Sequence, residues 1–184
     1  MRLFIAIQLP QFARTHLREL QDDLRVNVDY ASWVKPDSFH LTLKFLGEVA
    51  EEKLPEVCNA LREIEPTGPR RLMAAELLFL PPNGPARVIA AALAGDTEII
   101  SFLAQHVDAI CGKVGIQLER RKFRAHVTLA RPRYPLRSAR QSAMIESCRT
   151  RFPGPVFQVE RFVLMQSTLR REGSEYTHLA NFPL

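Results

Sequence analysis

Two short segments of this chain carry the same chemistry, His40-Leu41-Thr42-Leu43 and His126-Val127-Thr128-Leu129. The other three histidines, His16, His106 and His178, have no threonine two positions on. In an extended strand, residues i and i+2 project to one face. Each segment therefore presents one imidazole and one hydroxyl, with Leu41, Leu43 and Phe45, or Val127 and Leu129, expected in the core behind them. An unperturbed imidazole titrates near 6.5, so one ring of a facing pair can be neutral while its twin is protonated. One ring then takes a proton from a nucleophile, the other gives one to a leaving oxygen, and the hydroxyls donate to phosphoryl oxygens. A lone strand histidine is commonly a satisfied core or edge group, and a lone strand threonine reflects β propensity. The repetition of the pair is what points to a cleft built from two similar halves.

The basic residues concentrate around the second motif. Between 120 and 140 lie Arg120, Arg121, Lys122, Arg124, Arg131, Arg133, Arg137 and Arg140, with no acid, in a chain of net charge +5. Such a stretch is either a solvated face or a patch for a polyanion. Arg131 is the nearest charge partner for a phosphate. Strict alternation, however, points it away from His126, so a bulge or strand end near Ala130-Arg131-Pro132 has to re-aim it. Rival chemistries fit less well. The chain has no Gly-x-Ser-x-Gly elbow and no phosphate-binding glycine loop. Two distant histidines lack further ligands at zinc spacing. Cys58, Cys111 and Cys148 form no Cys-x-x-Cys pair, which suits small buried groups in a reducing cytoplasm.

The elements that must position these groups are legible as alternating patterns. The opening Arg2-Leu3-Phe4-Ile5-Ala6-Ile7-Gln8-Leu9 alternates like a half-buried strand and is too short for a signal-peptide core. Ala13, Leu17, Leu20 and Leu24 mark one apolar helix stripe. A strand follows at 39–46, then a helix at 54–61 with Pro55 in its first turn. Strands are expected at 71–80 and 86–93, and a helix from an Asp96 N-cap to Val114. A short strand at 116–120 is expected to lead into one at 123–131. A helix at 138–151 with Ile145, Cys148 and Phe152 inward comes next, and strands at 156–168 and 175–182 turn through 170–173. At 184 residues with 46% apolar side chains, one domain spanning 1–184 is expected. No apolar run approaches the ~20 residues that span a bilayer. This order predicts an α+β fold of two pseudo-symmetric lobes.

The sequence resembles the RNA 2′,3′-cyclic phosphodiesterases, also called 2′-5′ RNA ligases, of the 2H phosphoesterase superfamily. The resemblance rests on Arg2-Leu3-Phe4-Ile5-Ala6-Ile7, Trp33, His40-Leu41-Thr42-Leu43-Lys44-Phe45-Leu46-Gly47, His126-Val127-Thr128-Leu129-Ala130-Arg131, and Ser167, Leu169, Gly173 and Tyr176. Ala125 departs from the proline common before the second motif. The resemblance implies a bilobal, LigT-like fold of mainly antiparallel sheet with outer helices around a central cleft. It implies metal-independent hydrolysis of RNA 2′,3′-cyclic ends to 2′-phosphomonoesters, without a cofactor, by a cytoplasmic monomer acting on tRNA fragments or other short RNA. His40 would then be the proton donor and His126 the proton acceptor. Thr42, Thr128 and Arg131 would hold the phosphate, and reversal would give 2′-5′ ligation. Phe4, on the first strand, and Phe123, ahead of the second motif, are the aromatic candidates for a base; Trp33 is expected as a core or lobe-interface anchor. A non-catalytic RNA-binding module, and the same chemistry on a small nucleotide, are the alternatives that turnover assays separate.

Overall fold

Strand β1 (Arg2–Gln8) is buried on both faces, and this divides the molecule. Leu3, Ile5 and Ile7 join the main core, whereas Phe4 and Ala6 join a smaller cluster with Val163, Met165 and Tyr176. Helices cover the face of the main core, and the opposite face lines the cleft. The computed structural model describes residues 1–28, 30–170 and 173–184.

Helix α1 (Gln11–Arg25) buries Ala13, Leu17, Leu20, Gln21 and Leu24, the predicted stripe plus one glutamine. A three-residue strand, β2 (Ala31–Trp33), falls where only a connector was expected. Then come β3 (His40–Glu48), α2 (Leu54–Arg62), β4 (Arg70–Leu80), β5 (Val88–Gly95) and α3 (Thr97–Lys113). These are followed by β6 (His126–Pro132), α4 (Ser138–Ser147), β7 (Phe157–Val159), β8 (Arg161–Arg170) and β9 (Gly173–Pro183). The strands form one antiparallel sheet in the order β7-β4-β5-β6-β3-β1-β8-β9, with β2 paired to β6. Its two halves meet at β3 and β6, the strands that carry the twin motifs.

Several local expectations change. Residues 116–120 form no strand; the amide of Glu119 is held by the Asp108 carboxylate on α3 instead. The pairing of β6 begins at His126, not 123. Helix α4 ends at Ser147 and turns through a short 3-10 segment at Arg149–Arg151. Its buried residue is Met144, while Ile145 is 48% exposed. The run 156–168 divides at Glu160 because its two parts serve opposite ends of the sheet: β7 pairs with β4, and β8 with β1 and β9. Asp96 occupies the N-cap position of α3, yet its carboxylate accepts the Arg71 amide of β4 rather than a helix amide. At the neighbouring Gly95, φ is +106° and a Cβ would lie 2.3 Å from the Arg71 carbonyl oxygen, so glycine is required there. In the turn expected at 170–173, Arg171 and Glu172 lie outside the described residues.

Candidate active site

The two motif strands touch through the pair Leu41↔Val127, both almost wholly buried. Directly opposed residues of an antiparallel pair share a face. Extending that register sets His40 across from Thr128 and Thr42 across from His126, all four on the cleft side. The neighbouring strands repeat the arrangement, since Ala6 of β1 faces Thr42 and Ala90 of β5 faces Thr128. A small side chain thus stands beside each threonine on the neighbouring strand.

Each motif ends in a β-bulge at the same position. On β3 the pairing jumps from Ala6↔Thr42 to Ile5↔Lys44, which makes Leu43 the extra residue. On β6 it jumps from Ala90↔Thr128 to Ile89↔Ala130, which makes Leu129 the extra residue. A bulge resets the alternation of everything after it. Leu43 and Lys44, like Leu129 and Ala130, therefore all lie buried on the helix side. Phe45 and Arg131 return to the cleft side, and both are exposed. This is the re-aiming that Arg131 required. It also corrects the placement of Phe45, which is 59% exposed beside Phe4 rather than packed in the core.

Long polar side chains brace both bulges from behind. Gln21 of α1 donates its amide to the Leu129 and Val34 carbonyls, each at 2.8 Å, and the Val34 amide also reaches the Leu129 carbonyl oxygen. Lys44 pairs with Asp108 of α3 and donates to the Gln117 carbonyl. The carbonyl of the extra residue Leu129 thus has partners outside the ladder, whereas on β3 the Lys44 side chain ties the bulged strand to α3 and to the backbone at Gln117.

The imidazoles are tethered alike. His40 Nδ1 lies 2.7 Å from the Ser38 carbonyl oxygen, and His126 Nδ1 lies 2.7 Å from that of Arg124. A carbonyl only accepts, so each Nδ1 carries the hydrogen, and in the neutral ring Nε2 is left as the bare, basic nitrogen. Burial lowers the pKa of both rings below the ordinary value. The Ser38 and Arg124 hydrogen bonds partly oppose that shift. The charge of His126 lowers His40 further, whereas Arg131 and Arg124 lower His126.

The aromatic residues divide differently from the sequence expectation. Phe4 is 2% exposed, with its ring centroid 4.9 Å from His40 and 5.1 Å from Tyr176. It wedges the imidazole in place and has no open face for a base. Tyr176 meets His40 edge-on at 5.3 Å and 89°; nothing in its local sequence assigns it that place. Phe123 packs partly against the core and lines a cavity of about 860 Å³ with Phe102, Lys122 and Arg124. Trp33 packs on the core beneath the guanidinium of Arg25, 4.7 Å from the ring centroid. The basic residues between 120 and 140 are all exposed and bracket β6 at both ends. Among the described residues, no group of three or more His, Cys, Asp or Glu side chains could hold a metal, and no helix is long and apolar enough to cross a membrane.

Comparison with known proteins agrees with this geometry. Residues 7–90 and 96–176 match the family described as LigT like Phosphoesterase. An RNA 2′,3′-cyclic phosphodiesterase of Thermus thermophilus is 32% identical over 197 aligned residues, covering 100% of this chain and 90% of the relative. One from Methanothermobacter thermautotrophicus is 27% identical, covering 100% and 98%. The crystal structure of TT0787 of Thermus thermophilus superposes with a TM-score of 0.80 at 30% identity, covering 100% of this chain and 98% of that one. Escherichia coli LigT complexed with 3′-AMP, at 24% identity, shares the fold with a TM-score of 0.73 and coverage of 100% and 97%. Twin motifs on adjacent strands, matched bulges and this full-length similarity lead to one conclusion: the chain belongs to the LigT-like phosphoesterases.

Proposed function

We propose that this chain hydrolyses the 2′,3′-cyclic phosphodiester end of RNA to a 2′-phosphomonoester, with His40 as general acid and His126 as general base. The observation that carries the reading is the opposition of His40/Thr42 to His126/Thr128 across Leu41↔Val127, with each Nδ1 fixed to a carbonyl. The relatives named above as RNA 2′,3′-cyclic phosphodiesterases support it.

Water attacks phosphorus and its proton passes to His126 Nε2. The P–O3′ bond breaks, and protonated His40 delivers its Nε2 proton to the departing O3′. The phosphate stays on O2′, and the two rings restore their protons by exchange with solvent. Charge supports this division of roles. Arg131 and Arg124 keep His126 in the neutral form a base needs, whereas His40 faces no comparable cation beyond its twin. The anionic substrate itself favours protonation of His40. Thr42 and Thr128 donate hydroxyls to the non-bridging oxygens, and Arg131 balances their charge. Phe45 is the open aromatic face for the terminal base. The same steps run backward, with a 5′-hydroxyl replacing water, would join RNA ends through a 2′-5′ linkage.

The test is turnover of a nucleoside 2′,3′-cyclic phosphate in EDTA. Wild type should release the 2′-phosphate, and His40→Ala or His126→Ala should each lose about 10²–10⁴-fold in kcat. Full activity in either variant, or no turnover by wild type, overturns the proposal.

A further inference from the structure

The cleft face of the sheet continues past Arg131. Strand β2 pairs with β6 through Ser32↔Arg131 and Ala31↔Pro132. The Arg133 amide then donates to the Tyr30 carbonyl at 2.9 Å, which extends the ladder by one pair. Tyr30 and Arg133 thus stand two residues beyond Ser32 and Arg131 on the same face. That step is about 6–7 Å along a strand, on the order of one nucleotide of extended backbone.

This surface has an unusual make-up. Tyr30 is 65% exposed and Tyr134 64%, though rings of that size normally bury most of their area. The two meet edge-to-face with centroids 6.5 Å apart at 87°. The Arg133 guanidinium sits 5.8 Å from the Tyr134 ring centroid. Strands β2 and β6 and residues 133–140 carry no carboxylate, while Arg131, Arg133, Arg137 and Arg140 lie in that stretch. Open aromatic faces interleaved with guanidinium groups are how single-stranded RNA is held, the rings stacking on bases and the cations tracking phosphates. Tyrosine and arginine are also enriched in protein interfaces. Continuity with Arg131, which the proposed mechanism sets against the reacting phosphate, favours RNA.

We propose that Tyr30, Tyr134 and Arg133 form the seat of the nucleotide preceding the cyclic end, so that the RNA strand leaves the cleft over Arg131 and stacks on the tyrosine pair. This rests on the cyclic phosphodiesterase reading, and it makes the enzyme prefer an oligonucleotide to a mononucleotide.

The experiment compares wild type, Tyr30→Ala, Tyr134→Ala, Tyr134→Phe and Arg133→Gln on a mononucleoside 2′,3′-cyclic phosphate and on a short oligoribonucleotide with the same end. Fluorescence anisotropy of an oligoribonucleotide ending in a 2′-phosphate, titrated with salt, gives affinity without turnover. Each alanine variant should lose about ten-fold or more in oligonucleotide kcat/KM and affinity. Mononucleotide turnover should be unchanged, and Tyr134→Phe should behave as wild type. Arg133→Gln should lower the salt slope by about one. Equal losses on both substrates, or no loss on the oligonucleotide, overturn the proposal, the latter leaving the patch to a protein partner. A wild type that turns over neither substrate defeats the catalytic reading alone, since the anisotropy arm still decides the seat.

Discussion

Replacing Lys44 with methionine keeps its aliphatic stem and removes its charge from a place where water scarcely reaches. The Lys44 side chain is 2% exposed and its partner Asp108 22%. The ammonium also serves the Gln117 carbonyl at 2.8 Å, and Asp108 accepts the Glu119 amide at 2.9 Å. Breaking a buried ion pair by removing one partner costs about 3–5 kcal/mol, because the other charge is stranded. Asp108 keeps one backbone donor and some solvent, so Lys44→Met falls at or below the low end of that range, about 2–3 kcal/mol. In a chain of this length each kcal/mol moves Tm by about 2–4 °C, which gives a drop of about 4–12 °C. Asp108→Asn should cost more, about 4–5 kcal/mol, since it strands an ammonium with almost no exposure. The double variant Lys44→Met/Asp108→Asn, with no charge left unpaired, should be more stable than the sum of the single losses implies. Denaturant unfolding of the four proteins measures all of this. Strictly additive losses, or a Lys44→Met cost below about 1 kcal/mol, would refute the view of this pair as the brace behind the first bulge. Activity should fall as well, because the same contacts secure the segment that brings Arg124, the tether of His126, into place.

Two further outcomes follow from the site. Burial lowers both imidazoles from 6.5, so near neutrality the free protein holds both rings unprotonated, and each gains its proton only as pH falls. The profile of kcat/KM against pH should therefore peak below 6.5 and decline through neutrality; Arg131→Gln, by removing a cation that opposes protonation of His126, should move the acidic limb upward, and an unmoved limb would discount that charge. Gln21→Leu leaves the Val34 carbonyl without its amide partner and should cost about 1–3 kcal/mol in thermal or urea unfolding, with a raised KM from a less firmly aimed Arg131; an unchanged KM would separate the second bulge from substrate binding.

Where the chain alternates cleanly, its sequence was a good guide. The stripe Ala13, Leu17, Leu20 and Leu24 and the twin motifs sit where their periodicity puts them, and the opening strand runs where expected, though buried on both faces rather than half-buried because Phe4 and Ala6 join a second cluster. The need to re-aim Arg131 called for a bulge or strand end at 130–132, and it lies one residue earlier, at Leu129; the bulge on β3 was not legible, because Leu43 is an ordinary leucine that no neighbouring glycine or proline marks. Carried through Leu43 unbroken, alternation sends Phe45 into the core; carried through Leu129, it turns Arg131 from His126. The division at Glu160 escaped for a related reason, since β7 and β8 are both apolar and only their partners, at opposite ends of the sheet, distinguish them. Tyr30 and Tyr134 are brought together by a ladder that starts from a three-residue strand, too short to announce itself by pattern.

The matched bulges carry a consequence for how such an enzyme could diversify. The framework treats its two ends alike, down to equivalent carbonyl anchors and equivalent alanines. Polarity enters through furnishings: an aromatic ring at 45 in one repeat, a guanidinium at the corresponding 131 in the other. Exchanging those two side chains would leave Arg124 beside His126 and the rings of Phe4 and Tyr176 against His40, so reversing the proposed roles of the two imidazoles would take changes at those positions as well. On the proposed mechanism, the direction of the chemistry is then set by a handful of side chains around one repeated frame rather than by a new fold.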